Sequence, residues 1–266
     1  MQIVSCNFIS ATSGTIMSQI KVSLVLIFLL PLSLIGCLSE ENEDQGLNLE
    51  VSYDSLKGSI IESYSDGEFA SSDFVTIDFD FSETTSENEL TIFGVDTNDS
   101  RMPIEVNAKD TSIISVEFTE HGIYELTLYA IDDGSNQENL SLKVVIELQI
   151  NWVESNTNNP KKLIFDPTPT NGGEHPTMIE IESTVENPEQ IQDLAGDQTL
   201  EITWNVVDEN DDTCQRNSEL IENGEQATWN TIHFNTYLIH ELIIDNGDSD
   251  DNINVNQKIS IIYDGD

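Results

Sequence analysis

Tyr124-Glu125-Leu126-Thr127-Leu128-Tyr129-Ala130-Ile131-Asp132-Asp133-Gly134 decides the fold. Successive side chains of an extended chain point to opposite faces, so Tyr124, Leu126, Leu128 and Ala130 share one face. Asp-Asp-Gly then closes the run with a turn signal. A strand ending in a tight turn is expected. Further on, Tyr237-Leu238-Ile239-His240-Glu241-Leu242-Ile243-Ile244-Asp245-Asn246-Gly247 has the same scheme, a Tyr, an eight-residue step to Asp, and Gly two residues later. Each copy precedes a polar loop and a closing run, Leu142–Leu148 and Gln257–Tyr263. A repeat of this kind reads as one structural unit used twice.

The rest of the chain agrees. Val75, Ile77, Phe79 and Phe81 alternate with polar residues in the clearest period-two run. Similar short runs cover 58–64, 89–93, 103–106, 112–118 and 140–150, then 162–165, 178–185, 199–207, 226–234 and 256–263, with turn-rich pieces such as Ser65-Asp66-Gly67 between them. No stretch of ten residues holds a helical period. The chain is therefore expected to be all-β, with one sandwich over 47–150 and a second over 163–266. The Asn-rich, Pro-containing segment 151–162 is expected to link them.

The Tyr-to-Asp-x-Gly strand and turn, with His121-Gly122-Ile123 before it, resembles the penultimate strand of polycystic-kidney-disease (PKD) domains. Ile202-Thr203-Trp204-Asn205-Val206-Val207-Asp208 resembles that family's Trp-centred strand, and Thr76–Phe81 is its counterpart in the first half. The resemblance covers roughly 47–265 and implies tandem immunoglobulin-like sandwiches of the sort found on exported proteins. It also implies structural roles: Tyr124 and Tyr237 bonding back to a corner of the backbone, and Trp204 in the core.

At the N-terminus, Lys21 precedes an apolar run, Val22–Ile35, that ends in Leu34-Ile35-Gly36-Cys37. This is a lipobox. The run is shorter than the about 20 helical residues that a bilayer core requires, so a cleaved signal peptide over 1–36 is favoured over a retained anchor. Met17 offers a second start closer to that run. Cys37 would then carry the lipid, 37–46 would form an acidic tether, and the protein would sit on the extracytoplasmic face of the membrane. Cys6 and Cys37 belong to the leader region, which leaves Cys214 as a lone thiol, read here as a bystander.

The chain holds 50 acidic against 9 basic residues, a formal net charge of −41. A nucleic-acid binder needs a cationic face, so that class is excluded. Interleaved with Ile, Val, Phe and Trp, the acids read as a folded surface adapted to salt, where screening shortens the Debye length from about 10 Å at 0.1 M to about 3 Å at 1 M. A surface protein, a glycan or a cation remain as partners.

Two acidic runs offer oxygen ligands of the kind calcium takes: Asp245, Asp248, Asp250 and Asp251 in one, Asp208, Asp211 and Asp212 in the other. A solvated turn is the competing reading of both. They follow antiparallel neighbours and are expected at opposite ends of the sandwich, unable to share one ion. Asn98 and Asn139 begin Asn-x-Ser acceptor sequences for glycosylation. His121, His175, His233 and His240 occur singly, and no nucleophile elbow or phosphate loop is present. His121 reads as a surface residue. The expectation is a non-catalytic, lipid-anchored adhesion, binding or spacer module with binding loops at 132–139, 187–197 and 245–252. The alternative is an accessory or solute-capturing subunit of a transporter or secreted enzyme.

Overall fold

Ile77 and Phe79 are buried on one face of a strand, with Phe81 buried just beyond its end, as their alternation requires. The computed structural model describes residues 46–188, 199–247 and 250–264, all within a unit running from Asp44 to Asp266. The segment 1–36 expected as a signal peptide, Cys37, the expected tether up to residue 45, Asp248 and most of the 187–197 loop lie outside the described residues. Those described are all-β.

The first half contributes β1 (Leu47–Asn48), β2 (Lys57–Ser65), β3 (Glu68–Asp73), β4 (Val75–Asp80), β5 (Thr85–Ser86), β6 (Leu90–Asp96), β7 (Ile104–Asn107), β8 (Ile113–Phe118), β9 (Gly122–Asp132) and β10 (Gln137–Thr157). Strand β4 pairs with β8, and opposite them β7, β6, β9 and β10 follow one another in a second layer. Strand β2 runs parallel to β10, and β3 folds back on β2. Phe81 stacks on Phe93 at 4.9 Å and Phe118 meets Tyr124 edge-on at 4.9 Å, so the core lies between the layers.

The second half adds β11 (Leu163–Phe165), β12 (Met178–Glu186), β13 (Leu200–Asp208), β14 (Thr213–Ile221), β15 (Gln226–His233), β16 (His240–Asp245) and β17 (Ile253–Ile262). One sheet has the order β10-β17-β12-β15 and the other β11-β16-β13-β14. Counted from β10, this is the order of an eight-stranded jelly roll. Trp204, fully buried, donates Nε1–H to Ser183 Oγ at 3.0 Å across the two sheets and lies 6.4 Å from Trp229. Its core role is as the sequence implies.

Strand β10 belongs to both halves. Residues 137–146 pair with β9 and 148–157 with β17, while β2 takes the other edge over 145–153. Strands β9 and β17 therefore lie end to end along the same edge of β10. Residues Asn151–Thr157, expected as linker, are strand. The reason is local: Trp152 and Glu154 continue the inward alternation of Leu148 and Ile150, and Glu154 accepts from Trp152 Nε1 at 2.8 Å and from the Lys161 amide at 3.0 Å. Only 158–162 remains as a turn.

The second copy of the repeat also departs from expectation. Strand β9 forms a hairpin with β10 in one sheet, whereas β16 and β17 lie in different sheets. The register is shifted too. Matching Tyr124 to Tyr237 sets Leu126 and Leu128 against Ile239 and Glu241, but the buried residues of β16 are His240, Leu242 and Ile244. A one-residue slip exchanges the faces of a strand. The second half is thus a jelly roll and not a second immunoglobulin-like unit.

Candidate functional site

Strands β13 and β16 set the positions of the acidic runs. Their ladder opposes Thr203 to Asp245 at one end and Asp208 to His240 at the other. The two runs emerge at opposite ends, and neither gathers three carboxylates into one cluster among the described residues. Asp208 is buried, and its Oδ1 accepts the backbone N–H groups of Asn210 at 2.9 Å and Asp212 at 3.1 Å, so it holds its own turn together. Asp211, in the same turn, has a φ of 64°. Asp245 Oδ1 likewise accepts from Gly247 N at 2.9 Å, and Asp251 is half-buried.

Asp245 and Asp250 nevertheless line an open groove of about 730 Å³ together with Asn158, Lys161, Lys162, Asn205 and Asn246. Asn246 Nδ2 donates to Asn158 O at 3.1 Å, which ties the β16 exit to the turn after β10. Both lysines are anchored at its rim, Lys162 by Glu241 at 2.7 Å and Lys161 by the carbonyl of Asp66 at 2.6 Å. A smaller hollow of about 340 Å³ lies on the outer face of β12, β15 and β17 beside Glu180, Glu182, Asn230 and Lys258.

The loop 132–139 is a structural turn at its start. Asp132 is 2 % exposed; it accepts from Asn136, from Ser86 Oγ at 2.8 Å and from Asn88 Nδ2 at 3.1 Å. Burial raises its pKa, but the bonds from Asn136, Ser86 and Asn88 outweigh that and hold the carboxyl well below the usual range. Asn98, the first glycosylation candidate, is exposed at a φ of 52°, and its Nδ2 donates to Glu125 O at 2.6 Å. The nitrogen that would carry a sugar is committed to the backbone. Asn139 is exposed on β10.

Tyr124 donates to Glu120 O at 2.7 Å, the corner bond implied for it, and burial pushes its phenol up to about 12. Tyr237 does not match it: 67 % exposed, outside any strand, it lies against His175 at 4.2 Å. His121 is buried rather than on the surface.

One constellation escaped the sequence. Cys214 at the start of β14, His233 at the end of β15 and His240 at the start of β16 bring their ligand atoms within 4.8 Å of one another. The imidazole rings meet edge to face at 4.6 Å. His240 is fully buried and His233 is 7 % exposed. Burial, then the His240 neighbour, lowers the His233 pKa; burial, then the Asp208 and Asp212 carboxylates, raises that of the Cys214 thiol. Strand β14, Thr-Cys-Gln-Arg-Asn-Ser-Glu-Leu-Ile, has little apolar alternation, so nothing local showed that Cys214 opens a strand facing two histidines.

No family model matches the chain, and no curated protein matches it. Among solved structures, carbohydrate-binding modules described as belonging to the β-sandwich superfamily align at 9 % identity over 84 % of this chain and 94 % of theirs, with a TM-score of 0.29. The CBM51-2 and INT domains of Clostridium perfringens ZmpB align at 10 % identity over 76 % of this chain and 47 % of theirs, TM-score 0.23. Tripeptidyl peptidase 2 aligns at 9 % over 84 % of this chain and 21 % of its own, TM-score 0.23. Likenesses this distant assign neither family nor activity.

Proposed function

We propose that the chain is a non-catalytic, lipid-anchored protein of the extracytoplasmic membrane face that binds a surface glycan in the groove between the 158–162 turn and Asp245. The observation that carries this reading is the composition of that groove. Asparagine amides, two lysines and two aspartates line about 730 Å³ of open space at one end of the jelly roll. Sugar hydroxyls both donate and accept, and a wall that mixes amide donors, amide acceptors and carboxylates satisfies both. A cation would need more converging oxygens than Asp245 and Asp250 offer. The net charge of −41 argues against polyanions and leaves neutral or cationic polymers as partners. The Leu-Ile-Gly-Cys lipobox supports anchoring through Cys37.

Membrane-extracted protein should give an intact mass beginning at a lipidated Cys37, and the purified chain should be retained on immobilised surface polysaccharide of its own cell. Asp245→Asn combined with Asn205→Ala should weaken retention by about tenfold with the melting temperature unchanged. Retention equal to that of the unaltered protein would move the binding surface elsewhere, and no retention of either protein would overturn the glycan reading.

A further inference from the structure

We propose that Cys214 Sγ, His233 Nε2 and His240 Nδ1 together bind one thiophilic transition-metal ion, zinc or copper(I), at the end of the β13–β16 ladder opposite the groove. The donor set is the first argument. One thiolate and two imidazoles suit borderline and soft ions, while calcium and magnesium take oxygen. Three protein ligands with a position left open is the pattern of reactive zinc centres, and a thiolate with two imidazoles also satisfies copper in trigonal coordination.

Unsatisfied nitrogens are the second argument. His233 Nε2 and His240 Nδ1 are buried with no hydrogen-bond partner. A buried polar atom left unpaired has lost its hydration without replacement, and both imidazoles face that cost beside the same sulfur. A shared ion removes it for both.

Orientation is the third. His240 Nε2 lies 2.8 Å from Asn235 O, so that nitrogen carries the proton and Nδ1 presents its lone pair. Metal-bound histidines characteristically donate their other N–H to a carbonyl in this way. The loop supplying that carbonyl is itself fixed, since the buried Thr236 donates to Pro176 O at 2.8 Å and His175 Nδ1 lies 3.1 Å from Thr236 O. The buried Phe165 ring lies 5.6 Å from that of His240, while Cys214 is half-buried and so partly reached by solvent. Ligands at about 2.0–2.3 Å from one tetrahedral ion stand roughly 3.5 Å apart. The ligand atoms, within 4.8 Å of one another, need to draw together by about 1 Å to reach that spacing.

The test uses the full chain, stripped with a chelator and titrated with cobalt(II) in molar sodium chloride with excess magnesium to occupy surface carboxylates. One equivalent should produce thiolate-to-cobalt charge-transfer absorption, and zinc or copper(I) should then displace it; whichever competes at the lower concentration identifies the preferred ion. Cys214→Ser should abolish the absorption at an unchanged melting temperature. Cys6 and Cys37 are the other cysteines, so an undiminished band in that variant would place the metal on them and overturn the proposal. His233→Gln should weaken cobalt binding by about a hundredfold, since even outer-shell losses cost about 10–100-fold. A chain that shows no charge-transfer band, or whose cobalt affinity is the same in His233→Gln, has no such site. Loss of glycan retention in the groove variants has no bearing on this result.

Discussion

His121 Nδ1 and the Tyr263 hydroxyl meet at 2.7 Å, where β9 begins and β17 has just ended along the same edge of β10. The two residues are 142 positions apart, and both are buried. The contact joins the immunoglobulin-like half to the last strand of the jelly roll. Burial lowers the His121 pKa against the opposing pull of Asp166 and Glu120, and burial raises that of Tyr263.

Tyr263→Phe should therefore destabilise the fold by about 1–3 kcal/mol, because it leaves a buried imidazole nitrogen unpaired. The pH dependence has a definite sign. With the folded pKa below the unfolded value of about 6.5, the unfolded chain binds the proton more readily. Stability is full above that value and falls as pH drops through it toward the folded pKa. In His121→Gln this part of the fall should vanish. Urea denaturation of both proteins at pH 7.5 and pH 5 checks it; equal losses would show that His121 is not part of the coupling.

Asp132 has the opposite chemistry and the same direction of loss. Its carboxylate is held by Asn136, Ser86 and Asn88 well below the usual range, so its stabilisation is present above about pH 4 and disappears as pH falls through the folded value. Asp132→Asn should lower the midpoint of thermal unfolding at pH 7 and flatten the acid limb of the stability curve. A parallel displacement at all pH values would mean that the carboxyl acts through shape alone.

Much of this architecture is legible in the sequence because burial imposes period two. The period-two runs over Val75–Asp80, Tyr124–Ile131 and Met178–Val185 all form strands. What was illegible is pairing. Nothing in Asn151–Thr157 distinguishes a polar linker from a strand paired with β17 along its length and with β2 as far as Val153, except the step from Trp152 to Glu154. The Tyr-to-Asp-x-Gly repeat was persuasive by spacing and wrong by one residue in register, since Tyr237 is exposed while His240 is buried. The Cys214, His233 and His240 cluster was missed for a related reason. Its members sit on three strands whose ends converge only once the jelly roll closes, and β14 lacks the apolar signal that marks a strand.

The sharing of β10 leads to the last prediction. A linker would let the two halves open independently, with distinct opening free energies. A central strand hydrogen-bonded to β9 along 137–146, to β17 along 148–157 and to β2 on its other edge does not allow this. Unfolding either half strips ladder partners and buried contacts, Trp152 on Tyr64 at 5.5 Å among them, from the strand that the other half needs. Amides of β9 and of β12 should therefore exchange hydrogen in one cooperative event under mild denaturant, and protease should spare 151–157. Placing Pro at Val153 removes a ladder N–H from a central strand, which is tolerated only at edges and bulges. In Val153→Pro the slowest amides of both halves should accelerate together, by about the same factor. Acceleration confined to the jelly roll, with β9 amides unchanged, would show two separable domains joined as a linker joins them.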